Sequence, residues 1–214
     1  MAAYDAVAFD LLTGLLDSWT LWNDIAGGPD AGMRWRKEYL RLTYGAGRYR
    51  PYEQLVAESA RATGLSSACA GELPRRWREL QPWPEVGEVL RELAVHVPLA
   101  VVTNCSESLA RAAVERIGCS FDVAVSAERA GWYKPQPPPY ELARRELGVP
   151  ADRVLFVAGS SYDIAGASRL GMAVFWHNRI GLPVPEPIDD AQPLVAGTAD
   201  SLWPLMDLVL PAAD

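Results

Sequence analysis

Short, wholly apolar runs alternate with helical periods along most of this 214-residue chain, and that alternation leaves few folds open. The runs cover residues 6–9, 99–102, 123–125, 154–157 and 173–176, with a weaker sixth near Leu194. Each is too short for a helix and lacks polar alternation, as expected of a strand covered on both faces. Helical periods occupy residues 86–95, 107–117, 140–147, 164–170 and 202–210. Strands alternating with helices predict an α/β fold, a Rossmann-like core around a parallel sheet.

Residues 16–83 break this rhythm. No strand-like run occurs there, and apolar residues recur at helical spacing: Trp35, Tyr39 and Leu42, then Leu55, Ala57 and Ala60. Breaks at Ala26-Gly27-Gly28-Pro29 and Gly45-Ala46-Gly47 divide the stretch, and the chain returns at Pro82-Trp83-Pro84. The expected organisation is an α/β core from residues 1–15 and 84–214, with an α-helical cap inserted over residues 16–83. Residues 181–187, with prolines at 183, 185 and 187, read as a stiff surface loop.

Half of the residues are hydrophobic, yet no apolar run reaches the length of a membrane span. No basic leader precedes a long apolar stretch, and Cys69, Cys105 and Cys119 show no metal-ligand spacing. The expectation is a cytoplasmic protein with reduced thiols. A net charge of −7 argues against nucleic acid or an anionic membrane surface as a partner. Only two of the 20 basic residues are lysines, Lys37 and Lys134. His96 and His177 have no serine in a G-x-S-x-G elbow to serve, and both read as incidental.

Polar residues stand just past four of the expected strands: Asp10, Thr103-Asn104, Lys134 and Asp163. In an open parallel sheet those ends line one crevice, the usual ligand site. Asp10 either ends its strand or presents a nucleophile. Two residues on, where a second acid would favour Mg²⁺ and phosphoryl chemistry, stands Leu12. A lone carboxylate there points instead to metal-free displacement at carbon.

Further residues extend the pattern. Phe9-Asp10 leads to Leu15-Leu16-Asp17, and Trp35-Arg36 is followed by Leu40 and Thr43. Tyr133-Lys134-Pro135 has Tyr140 six residues past the lysine, and 155–157 leads to Asp163 and then to Trp176, Asn178 and Arg179. In order and spacing this set resembles the haloacid dehalogenase superfamily, and within it the (S)-2-haloacid dehalogenases. The resemblance implies a catalytic group of Asp10, Lys134, Asp163, Arg36 and Asn104. Asp10 would form an aspartyl ester, Lys134 would keep it ionised, and Arg36 and the Asn104 amide would receive the departing anion. Substrate contacts are expected from the backbone after Asp10 at Leu11 and Leu12, and from Thr103, Lys37, Leu40, Tyr140 and Ser160, with no metal and no cofactor. Read by residue type alone, Arg36 and Tyr140 equally suit helix-face packing, Asn104 a turn and Asp163 a helix cap.

The likeness has departures. Thr13-Gly14 reverses the family's glycine-threonine order, Leu12 replaces a tyrosine, Lys37 a glutamine, and Ala158 and Ser160 a serine and an asparagine. The resemblance implies a metal-independent hydrolase acting on a small carboxylic acid, first a 2-haloacid and alternatively a strained ring such as azetidine-2-carboxylate. A degenerate binding protein or phosphatase of the same fold is the second alternative. A homodimer is implied by the resemblance alone.

Overall fold

The computed structural model describes residues 3–183 and 194–210; the prolines expected at 185 and 187 lie outside them. Six strands form one parallel sheet: β1 (Ala6–Asp10), β2 (Leu99–Thr103), β3 (Val123–Ser126), β4 (Val154–Ala158), β5 (Ala173–His177) and β6 (Val195–Ala199). Their order across the sheet is β3-β2-β1-β4-β5-β6. β1 is central because its residues are all buried, and parallel pairing aligns Phe9 with Val101 on one side and Val157 on the other. The strand order reverses beside β1, so the carboxyl end of β1 opens onto the crevice that such a reversal creates.

Between β1 and residue 84 run four α-helices, α1 (Ser18–Ala26), α2 (Pro29–Ala46), α3 (Tyr52–Ala62) and α4 (Ser67–Arg75). The glycine-rich break at 26–29 separates α1 from α2, and that at 45–47 ends α2, which runs through Gly45 and stops at Gly47, whose φ of 62° favours glycine. Trp35 fixes α2 against α3 by donating from its indole to Val56 O and Ser59 Oγ, at 3.1 and 2.9 Å. Its large apolar area is thereby buried with the polar edge satisfied. An isolated antiparallel bridge between Leu16 and Pro82 closes the base of the segment.

The remaining helices are α5 (Val86–His96), α6 (Glu107–Ile117), α7 (Ala127–Ala130), α8 (Pro137–Leu147), α9 (Ser161–Ser168) and α10 (Leu205–Val209). α8 starts three residues before the expected Tyr140, because prolines fit a helical first turn whose N–H groups have no partners. α10 is shorter than expected, beginning after Pro204. α7 was not expected at all. The sheet separates two cores. Val7, Phe9, Val101 and Phe175 face α5, α6, α10 and the inserted helices, while Ala8, Val102, Phe156 and Val174 face α8 and α9.

Candidate active site

Asp10 ends β1 at the centre of the sheet, 6% exposed. Its two oxygens have different surroundings. Oδ2 accepts the backbone N–H groups of Thr13 and Gly14, each at 3.0 Å, and also the Thr13 hydroxyl. Among the described residues Oδ1 accepts only from Lys134 Nζ, at 2.9 Å. The same ammonium lies 2.9 Å from Asp163 Oδ2, and Tyr140 donates its hydroxyl to Asp163 Oδ1 at 2.6 Å. Asp163 stands in the first turn of α9, but its carboxylate serves this network and not the helix end.

Charge follows from this geometry. Burial by itself raises the Asp10 carboxyl, but Lys134 and the Thr13 donors overcome it and hold Asp10 below its ordinary value. Asp163, with burial and the neighbouring Asp10 against it, is raised. Lys134 is also raised, because the two carboxylates outweigh its desolvation. The site therefore holds an ionised Asp10 beside a carboxylate more ready to accept a proton.

The clamp on Oδ2 depends on two glycines. A Cβ at Gly14 would lie 2.3 Å from the Asp10 carbonyl oxygen. A Cβ at Gly159 would lie 2.3 Å from both Gly14 N and the Thr13 carbonyl carbon, so the loops after β1 and β4 touch through bare backbone. Asn104 fixes the lysine: its carboxamide accepts from Lys134 N at 2.7 Å and donates to Lys134 O at 3.0 Å. That double bond to one backbone unit leaves a single amide hydrogen for any other task.

Over this network α2 lays Arg36, 7% exposed, with its guanidinium 4.0 Å from the Trp19 ring centroid and 5.5 Å from that of Trp22. Burial lowers the Arg36 pKa, and Nη1 has no hydrogen-bond partner among the described residues. Asp10, Arg36, Asn104, Lys134 and Asp163 all line one cavity of about 470 Å³. Leu12, Lys37, Leu40 and Ser160 line it too, as expected. Lys37 is exposed at its margin.

Three expected substrate contacts are placed elsewhere. Leu11 is wholly buried in the core and does not line the cavity. Thr103 is corrected for a reason of strand parity: Asp10 is in register with Val102, so Thr103 points to the opposite face. There it contacts Cys105 Sγ at 3.7 Å and borders a separate recess with Glu107 and Ser126. Tyr140 touches Asp163 from outside the lining. The Cys105 thiol, fully buried and pushed up to about 12, is inert.

The sequence reading missed Trp19, Tyr44 and Tyr162, all in the cavity wall. Tyr44 from α2 and Tyr162 from α9 meet with ring centroids 4.1 Å apart, and the Tyr44 hydroxyl faces Ser160. The spacing of Trp19 and Trp22, three apart on α1, was a usable signal for a shared face.

Comparisons with known proteins place the chain in a family. The haloacetate dehalogenase H-2 of Moraxella sp. (strain B) is 28% identical, over 98% of each chain. The (S)-2-haloacid dehalogenase H-109 of Pseudomonas putida is 30% identical, over 85% of this chain and 88% of its own. A crystal structure of a dehalogenase with an intermediate complex superposes with a TM-score of 0.83 at 25% identity, over 98% of each chain. A family model described as haloacid dehalogenase-like hydrolase matches residues 8–177. The chain belongs to the haloacid dehalogenase-like hydrolases.

Proposed function

We propose that this hydrolase releases halide from the α-carbon of an (S)-2-haloacid through an ester on Asp10. The observation that carries the reading is the asymmetry of the Asp10 carboxylate. Oδ2 is occupied by three donors, whereas Oδ1 accepts from Lys134 alone among the described residues, and Asp10 lines the cavity. Oδ1 forms the new bond to carbon, and the carbon–halogen pair leaves as halide toward Arg36, whose Nη1 lacks a partner. Lys37, with no carboxylate partner among the described residues, draws in the substrate carboxylate that Thr103 does not face. Residues 16–83 act as the cap that keeps this chemistry dry.

In the second half, water adds to the Asp10 carbonyl carbon and passes one proton to Asp163. Charge then develops on Oδ2, where the Thr13 and Gly14 donors already point. As the carbon–Oδ1 bond on the aspartyl side breaks, Lys134 gives a proton to the departing oxygen. The new Asp10 carboxyl returns a proton to Lys134, and Asp163 releases its own to solvent, leaving hydroxy acid, halide and one proton.

A ring-opening reading is disfavoured by charge. The nitrogen of azetidine-2-carboxylate is protonated near neutral pH, and the leaving-group side of the cavity is a buried cation, Arg36.

Single turnover of (S)-2-chloropropionate with excess enzyme in ¹⁸O-water, in EDTA, tests the reading. It should place one label in the peptide containing Asp10, and Asp10→Asn should abolish chloride release. Label only in the product, or activity that requires added Mg²⁺, would overturn it.

A further inference from the structure

The donors that grip Asp10 Oδ2 are themselves held from behind. The Gly14 N–H belongs to the same peptide unit as the Thr13 carbonyl, and that carbonyl accepts from Trp83 Nε1 at 3.2 Å. A continuous chain therefore runs from the indole N–H through one peptide group to the carboxylate. The next carbonyl, that of Gly14, lies 2.8 Å from His177 Nδ1. A carbonyl only accepts, so the His177 proton sits on Nδ1.

Both rings pack against a half-buried polar cluster outside the cavity, in which His177 Nε2 makes no hydrogen bond among the described residues. His177 is wholly buried, packs edge-on against Trp83 with centroids 6.4 Å apart, and turns Nε2 toward Glu85 Oε1 at 3.8 Å. Glu85, 6% exposed, accepts from Arg179 Nη1 at 3.0 Å and from Leu202 N at 3.2 Å, and the Arg179 guanidinium covers the Trp83 ring at 4.9 Å. Neither Trp83 nor His177 lines the cavity, so neither touches substrate. Two ring N–H groups thus meet two successive carbonyls, those of Thr13 and Gly14, with Glu85 and Arg179 packed behind the rings.

We propose that Trp83 and His177 are positioning residues for ester hydrolysis, each holding by its ring N–H a carbonyl of the turn that supplies the oxyanion donors. Hydrogen bonds in series polarise one another, so the indole strengthens the Gly14 N–H as a donor as well as aiming it. The demand on that donor differs between the two chemical steps. While Oδ1 attacks carbon, negative charge leaves the carboxylate. When water adds to the ester, a full charge appears on Oδ2. Loosening the turn should therefore slow the second step and spare the first.

The inference rests on Asp10 being the nucleophile, and the experiment separates the two. Parent enzyme, Trp83→Phe, His177→Leu and His177→Asn are mixed in excess with (S)-2-chloropropionate; chloride release and the ester adduct on intact protein are followed in time. In Trp83→Phe and His177→Leu chloride release should stay within about threefold of the parent, while ester decay slows about tenfold or more. Asparagine places an amide N–H where Nδ1–H stood, so His177→Asn should restore ester decay. If His177→Leu does not fold, Trp83→Phe carries the comparison. Equal slowing of both steps, unchanged ester decay, or failure of His177→Asn to restore it would overturn the positioning role alone. A parent enzyme that forms no ester on Asp10 would overturn the underlying reading, and this proposal with it.

Discussion

A buried guanidinium without full hydrogen bonding is expensive, and Arg36 is such a group. Its charge is balanced in part by the faces of Trp19 and Trp22 and by the more distant Asp10, while Nη1 remains unpartnered. A side chain kept under those terms is expected to serve an anion that arrives later. Arg36→Leu should therefore lower kcat/KM for (S)-2-chloropropionate by roughly 10²-fold or more. The same change removes a desolvated charge, so stability toward urea should hold or rise by about 1 kcal/mol. Steady-state kinetics and equilibrium unfolding on the same sample check both; activity retained with stability lost would assign Arg36 to packing. His177 carries a second residue-scale consequence. Burial pushes its pKa below the ordinary 6.5, against the pull of Glu85 and of the Gly14 and Asp200 carbonyls and with the push of Arg179. Below about that pH the unfolded chain takes up a proton that the folded chain refuses, so stability falls as pH drops through that window and is fully present above it. Melting temperatures from pH 7.5 to 5 should therefore decline more steeply for the parent than for His177→Asn.

At the scale of elements, the site is a contact between the loops that follow β1 and β4. Gly159 lets them meet, because any Cβ there would strike Thr13 and Gly14 backbone. Gly159→Ala should push the Thr13–Gly14 donors away from Asp10 Oδ2, lowering kcat by about tenfold to a hundredfold for a stability loss of about 1–3 kcal/mol. Rate and melting curve measured together would expose the opposite case, in which the loss is only one of folding. Asp10 was legible in the sequence because it ends an apolar run, whereas Lys134 and Asp163, well past the ends of β3 and β4, were legible through the spacing of the family likeness. Thr103 follows such a run as well, yet its register with β1 turns it to the other face, and a run of apolar residues does not announce its parity. The inserted helices were legible as helices, but α2 passing through Gly45 was not, because burial of Trp35 and Tyr39 outweighs one poor helix former. Trp83 and His177 gave no sign. Their partners are backbone carbonyls more than sixty residues away, and carbonyls carry no sequence signature.

Across the whole molecule, the inserted helices and the sheet together decide what fits. Tyr44 on α2 and Tyr162 on α9 are in ring contact, so the segment is already seated on the core, and the cavity of about 470 Å³ is what remains with that contact made. Such a volume belongs to the range of ordinary ligand cavities, and a two- or three-carbon acid fills only a small part of it. Between the charged groups the lining is apolar, with Leu12, Trp19, Met33, Leu40 and Leu182. Methylene groups buried there should add about 0.8 kcal/mol each, close to fourfold in kcat/KM for every carbon until the wall is reached. A series of 2-chloro acids running from chloroacetate through 2-chloropropionate to 2-chlorohexanoate should accordingly rise in kcat/KM. Leu40→Trp, which narrows that apolar lining, should cut the longest substrates most and leave chloroacetate nearly unchanged. A series that instead peaks at two carbons would mean that the helices close further on substrate, and the apolar wall would then be a packing surface waiting for that closure.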